Sequence, residues 1–146
     1  MEMTPPGPSR LNRFSPQEAL ICAMVMMSAS DGSMTDAELK RMTRLVGELP
    51  ALAGAGPGDV ERVTDTCLKL FDDTDGLERG IQMIATALPP RLRETAYLLA
   101  CEVAAANGEA NQDELQFLQD LRIGLDLDRL IAGAIERAAR ARFQIV

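Results

Sequence analysis

The sequence predicts an all-α protein, a single domain of about seven helices that contains two duplicated helix-turn-helix units. Three observations carry that expectation. The 146 residues are 47% hydrophobic but only 3% aromatic; the apolar set is mostly Ala, Leu, Ile and Met, and Val and Thr are scattered instead of alternating as a half-buried strand requires. Apolar residues recur at helical spacing between recognisable caps. One pattern occurs twice: Asp31-Gly32-Ser33-Met34-Thr35-Asp36-Ala37-Glu38-Leu39 returns 76 residues later as Asn107-Gly108-Glu109-Ala110-Asn111-Gln112-Asp113-Glu114-Leu115. A chain of this length buries roughly 70% of its unfolded surface, enough for a core of its own.

Residues 1–14 carry Pro5, Pro6, Gly7 and Pro8 with few apolar anchors and are expected to form a flexible arm, leaving 15–146 as the helical domain. Ser15, Pro16 and Glu18 form an N-cap, a first-turn proline and a capping box, opening a helix through Leu20, Ile21, Met24 and Met27 that Gly32 should end. A second helix follows Thr35, buries Leu39, Met42, Leu45 and Val46, and stops at Leu49-Pro50. Gly54-Ala55-Gly56-Pro57-Gly58 predicts a flexible loop from Pro50 to Asp59. The third helix runs through Val60, Val63, Cys67, Leu68 and Phe71 to the acidic stretch before Gly76. The fourth spans about Leu77 to Ala87, with Ile81, Ile84 and Leu88 inward. Pro89 and Pro90 open the fifth, which carries Leu92, Ala96, Leu99, Val103 and Ala106 before Gly108 closes it. The sixth holds Leu115, Leu118 and Leu121; the seventh starts near Asp126 or Asp128 and presents Leu130, Ile131, Ile135 and Ala138.

Composition narrows the function. A formal charge of -7 disfavours nucleic acid, which calls for Lys and Arg gathered on one face. No apolar run approaches the ~20 residues of a bilayer span, and the amino terminus lacks a signal-peptide pattern, so a cytoplasmic protein is expected. The three cysteines, Cys22, Cys67 and Cys101, lie apart in apolar helical stretches and read as buried reduced thiols. Histidine is absent, which removes imidazole bases, Ser-His-Asp systems and imidazole-held metals.

The repeated turn has two readings. Helix grammar explains most of it: Gly32 and Gly108 as C-terminal caps, Thr35 and Asn111 as N-caps, Glu38 and Glu114 as capping-box carboxylates at the positive helix end. The acidic Asp31 beside Gly32, and Asp36 before Glu38, exceed that requirement. Paired hairpins related by a pseudo-twofold axis would bring the two turns together as a hard-oxygen site for Ca²⁺, Mg²⁺ or Mn²⁺. Neither Gly32 nor Gly76 fits an EF-hand: Met27 and Ala29 occupy ligand positions in the first case, Phe71 and Gln82 in the second.

Ala29-Ser30-Asp31-Gly32 with Glu38, Phe71-Asp72-Asp73 leading to Gly80, and Ala104-Ala105-Ala106-Asn107-Gly108 with Asp113-Glu114 together resemble the TerB family of tellurite-resistance proteins and the TerB-like domains of DjlA-type co-chaperones, over roughly residues 16–140. The resemblance implies an internally duplicated helical domain with an acidic metal-binding surface. Its ligands, carried over by position, would be Asp31, Glu38, Asn107 and Glu114, with Asn107 standing where the family commonly has Asp. It also implies a stress-response or tellurite-resistance role alongside protein partners, membrane-associated Ter-type components among them, with peripheral association at the inner membrane through those partners.

The leading expectation is therefore a non-enzymatic metal-binding or scaffolding domain. The alternative is a protein-interaction module whose turns are only caps, recognition falling to the Met-rich first helix or to the last helix with Arg137, Arg140 and Arg142. Catalysis is not expected: Glu102, standing in an apolar helix near Asn107 and Glu114, has no accompanying nucleophile or substrate-cradling loop.

Overall fold

Each helix begins where the sequence supplies a cap. The computed structural model describes residues 13–30, 34–106, 108 and 110–146; among them are seven α-helices and no strand: α1 (Pro16–Ala29), α2 (Asp36–Glu48), α3 (Pro57–Phe71), α4 (Gly76–Ala87), α5 (Pro90–Ala106), α6 (Gln112–Gly124) and α7 (Arg129–Arg142). The expected arm falls almost wholly outside the described residues, although Phe14 packs against the core. Ser15 caps α1 with a complete capping box: its Oγ accepts from Glu18 N at 3.1 Å, and Glu18 Oε1 accepts from Ser15 N at 2.8 Å. Asp128 caps α7, its Oδ1 accepting from Leu130 N at 2.9 Å.

The segment between α2 and α3 is more ordered than its glycines suggest. Pro50–Leu52 forms a 3-10 turn, fully burying Leu52, and the Gln17 side chain ties it to α1 by donating to the carbonyls of Ala51 and Ala53 at 3.2 and 2.9 Å. α3 then starts at Pro57, two residues inside the expected loop. Proline at the first helical position sacrifices no hydrogen bond, and Asp59 accepts from Gly56 N at 2.8 Å.

α1 is the axis of the fold. Every residue from Ala19 to Ala29 is buried, a helix apolar on all sides, and α2, α3, α4, α5 and α6 pack around it. Each fully buried Leu, Ile or Met contributes about 1.5–3 kcal/mol. The methionines Met24, Met26 and Met27 are interior, so they are core and offer no adaptable surface. Cys22, Cys67 and Cys101 are buried free thiols, and Cys22 Sγ meets Cys67 Sγ at 2.6 Å between α1 and α3.

α7 starts after Asp128, as expected, and packs through its small residues. Its main packing is on α5, through the small residues Ala132 and Ala139, while Leu130 is 82% and Ile131 39% exposed and Ala138 faces solvent. Small residues permit close helix approach, and the larger apolar ones are left on the outer face. α6 ends in a Schellman motif, with Leu127 N donating to Arg122 O at 3.1 Å and Asp126 N to Ile123 O at 3.0 Å, Asp126 holding a left-handed φ of 56°. No helix among the described residues is long and apolar enough to cross a membrane.

Candidate functional site

The repeat is real in three dimensions. α6 occupies the residues 76 positions beyond those of α2, Gln112–Gly124 against Asp36–Glu48. Thr35 caps α2, its Oγ1 accepting from Glu38 N at 3.2 Å while Glu38 Oε1 accepts from Thr35 N at 2.8 Å. Asn111 caps α6 in the same way, with Asn111 Oδ1 accepting from Glu114 N at 2.8 Å and Glu114 Oε1 accepting from Asn111 N at 3.0 Å. The cap assignments of Thr35, Glu38, Asn111 and Glu114 thus hold atom for atom. Gly108 follows α5 with φ of 93°, the left-handed stop expected of it.

The two copies differ in what else they hold. Glu38 Oε2 accepts from the Ser28 hydroxyl at 2.8 Å, tying the end of α1 to the start of α2. Ser28 is 2% exposed. Its counterpart is Ala104, which has no hydroxyl, and Glu114 is instead 5% exposed.

Of the four residues expected to hold a cation, Asp31 and Asn107 lie outside the described residues. Glu38 and Glu114 are described, and each belongs to its own capping box. Among the described residues no group of three or more Cys, Asp or Glu is spaced to hold a metal, and no buried side-chain polar atom lacks a partner. Nor do the described contacts join the turns. α4 meets α1 near its carboxyl end, where a Cβ on Gly80 would lie 2.8 Å from Met26 Cε, and it meets α6 at its last residue, where a Cβ on Gly124 would lie 2.3 Å from Ile81 Cγ2. Among the described residues, Glu38 and Glu114 each serve the capping box of their own helix.

Glu102 has a structural partner: its Oε2 lies 3.0 Å from Arg142 Nε, bridging α5 to α7. That pairing accounts for a carboxylate in an apolar helix.

The sequence reading passed over a cleft of about 880 Å³ between α5, α6 and α7, lined by Tyr97, Cys101, Leu118, Arg122, Glu136 and Arg140 among others. The Tyr97 hydroxyl donates to Glu136 Oε2. Burial, then that hydrogen bond, pushes the Tyr97 pKa up, and burial, then the charge of Glu136, pushes Cys101 up to about 12, so both are neutral near pH 7. The repeat itself held the signal: at the shared offset Tyr97, Cys101 and Arg122 replace Ile21, Val25 and Val46, all buried in the first copy.

Compared with known families, the chain matches the family model for tellurite resistance protein TerB over residues 17–135. No curated protein and no solved structure matches it.

Proposed function

Because the chain belongs to the TerB family of tellurite resistance proteins, we propose that it is a non-enzymatic scaffolding domain of a tellurite-resistance or stress-response system, working through protein partners, membrane-associated Ter-type components among them. The observation that carries this reading is the double commitment of Glu38: one oxygen accepts from Thr35 N, the other from Ser28 Oγ. A carboxylate so held fixes the α1–α2 hairpin and presents a rigid helical surface.

α7 supplies the most distinctive face. Its Leu130 and Ile131 are exposed, and the helix has four arginines, Arg129, Arg137, Arg140 and Arg142, against the single acid Glu136 in a chain of net charge -7. An apolar-and-basic helix on an acidic body complements an acidic amphipathic segment of a partner.

Complementation of a tellurite-sensitive strain lacking the protein tests this reading. The wild type and Glu38→Gln are expected to restore growth on tellurite, while a Leu130→Asp, Ile131→Asp double variant with wild-type circular dichroism fails. Loss of growth with Glu38→Gln, together with full growth of the α7 variant, would overturn it in favour of ion binding at the turns.

A further inference from the structure

The cleft between α5, α6 and α7 is the second copy's version of a space that the first copy closes. In the first half α3 packs on both α1 and α2; in the second half α7 packs on α5 and makes no more than glancing contact with α6. The residues turned to the space changed with it. Ile21, Val25, Met42 and Val46 are at most 2% exposed in the first copy; their counterparts Tyr97, Cys101, Leu118 and Arg122 line the cleft.

Arg122 is half-buried, and a guanidinium stays charged at any working pH. Neither Arg122 nor Arg140 belongs to an ion pair among the described residues. The carbonyl ends of α6 and α7 offset part of their charge, but helix polarity does not require both guanidinium groups to line one space. The backbone under Arg122 is fixed, its carbonyl accepting from Leu127 N at 3.1 Å. Among the described lining residues two arginines stand against the single acid Glu136, a balance of +1, which complements a monoanion better than a dianion. Leu115, Leu118 and Phe143 supply apolar wall beside the amides Gln119 and Gln144. A volume of about 880 Å³ lies within the ~300–1,000 Å³ of small-molecule sites, which pair apolar walls with a few convergent polar groups.

We propose that this cleft binds a monocarboxylate amphiphile, its head held by Arg122 and Arg140 and its alkyl chain lying along Leu115, Leu118 and Phe143. The site shares Arg140 with the basic face of α7 but adds Arg122 of α6, and it needs no metal.

Titration of the full chain with sodium octanoate, followed by amide NMR and calorimetry, tests the proposal, with acetate and octylammonium as comparators carrying the head without the chain and the chain with the opposite charge. Octanoate is expected to shift amides of α5, α6 and α7, while acetate and octylammonium bind at least ~10-fold more weakly. Arg122→Gln and the exposed Arg140→Gln are each expected to weaken octanoate by ~10-fold, with Arg122→Lys intermediate and Arg137→Gln unchanged. Because Arg140 is exposed, its variant keeps the test valid if Arg122→Gln fails to fold. Equal binding of octylammonium, equal weakening by Arg137→Gln, or no shifts at about 10 mM octanoate would overturn it.

Discussion

The Ser28 hydroxyl donates to Glu38 Oε2 at 2.8 Å, and Ala104, the residue 76 positions on, cannot repeat the bond. The first hairpin is therefore latched by its side chains while the second relies on its capping box and on burial of Glu114. Ser28→Ala is expected to cost about 1.5–3 kcal/mol, the range for a hydrogen bond to a charged group. Ala104→Ser, which supplies the missing hydroxyl, should stabilise the second hairpin. Urea unfolding with an unchanged m-value checks both; no loss in Ser28→Ala would show that the latch contributes nothing.

Asp126 sits at a left-handed φ of 56° after α6, where an L side chain is strained and glycine is not. Asp126→Gly is expected to stabilise the fold by about 0.5–1 kcal/mol, and Gly108→Ala, at φ of 93°, to destabilise it by about 1 kcal/mol. Thermal melts of the two variants should move in opposite directions.

Arg62 bridges α1 and α3 by pairing with Glu18 and Asp59. Burial raises the Glu18 carboxyl, but the Ser15 N–H and the Arg62 guanidinium outweigh it, and its pKa falls below the ordinary 4.5. Asp59 is lowered below 3.8, first by the Gly56 N–H and then by Arg62. A depressed carboxyl pKa contributes stability that is fully present above the unfolded value and lost as pH falls through the folded one. Stability should therefore be insensitive to these groups near neutrality and decline below about pH 4.5. Glu18→Gln should flatten that acid limb of a melting-temperature profile; an unaltered limb would show that the bridge contributes nothing.

The Cys22 thiol is held well above its ordinary range by burial and by the adjoining Cys67, and Cys101 is raised to about 12. Since the thiolate is the reactive form, Ellman's reagent at pH 8 should label these cysteines only as fast as the protein opens, and fully in urea. Rapid labelling of any one of them in the native protein would contradict this packing.

The caps were legible because they are local. Ser15 with Glu18, Thr35 with Glu38 and Asn111 with Glu114 are three-residue relationships that a linear sequence displays. The start of α3 was masked by Gly56-Pro57-Gly58, which reads as loop until Leu52 anchors the preceding turn in the core. The inward face of α7 was not legible, because Leu130 and Ile131 outweigh Ala132 and Ala139 on any hydropathy pattern, whereas close approach to α5 selects the alanines. The cleft was only partly legible: the repeat shows Tyr97, Cys101 and Arg122 in place of apolar residues, but not that they meet. Tyr97, Arg122 and Glu136 come from three helices, and their meeting depends on how α7 seats. Family membership was readable from the repeated acidic segments, and the capping roles of Glu38 and Glu114 were readable from their three-residue spacing to Thr35 and Asn111.

The repeated turns serve as structural caps, and unfolding free energies measured with and without divalent ions show whether they do anything more. Wild type, Glu38→Gln and Glu114→Gln would be unfolded in urea in EDTA and again at saturating Ca²⁺, Mg²⁺ or Mn²⁺. Each variant should lose about 1 kcal/mol, and wild-type stability should be the same in EDTA as with any ion. A wild-type stability that rises with ion concentration, as binding to the native state alone requires, and a rise that vanishes in either variant would contradict the account.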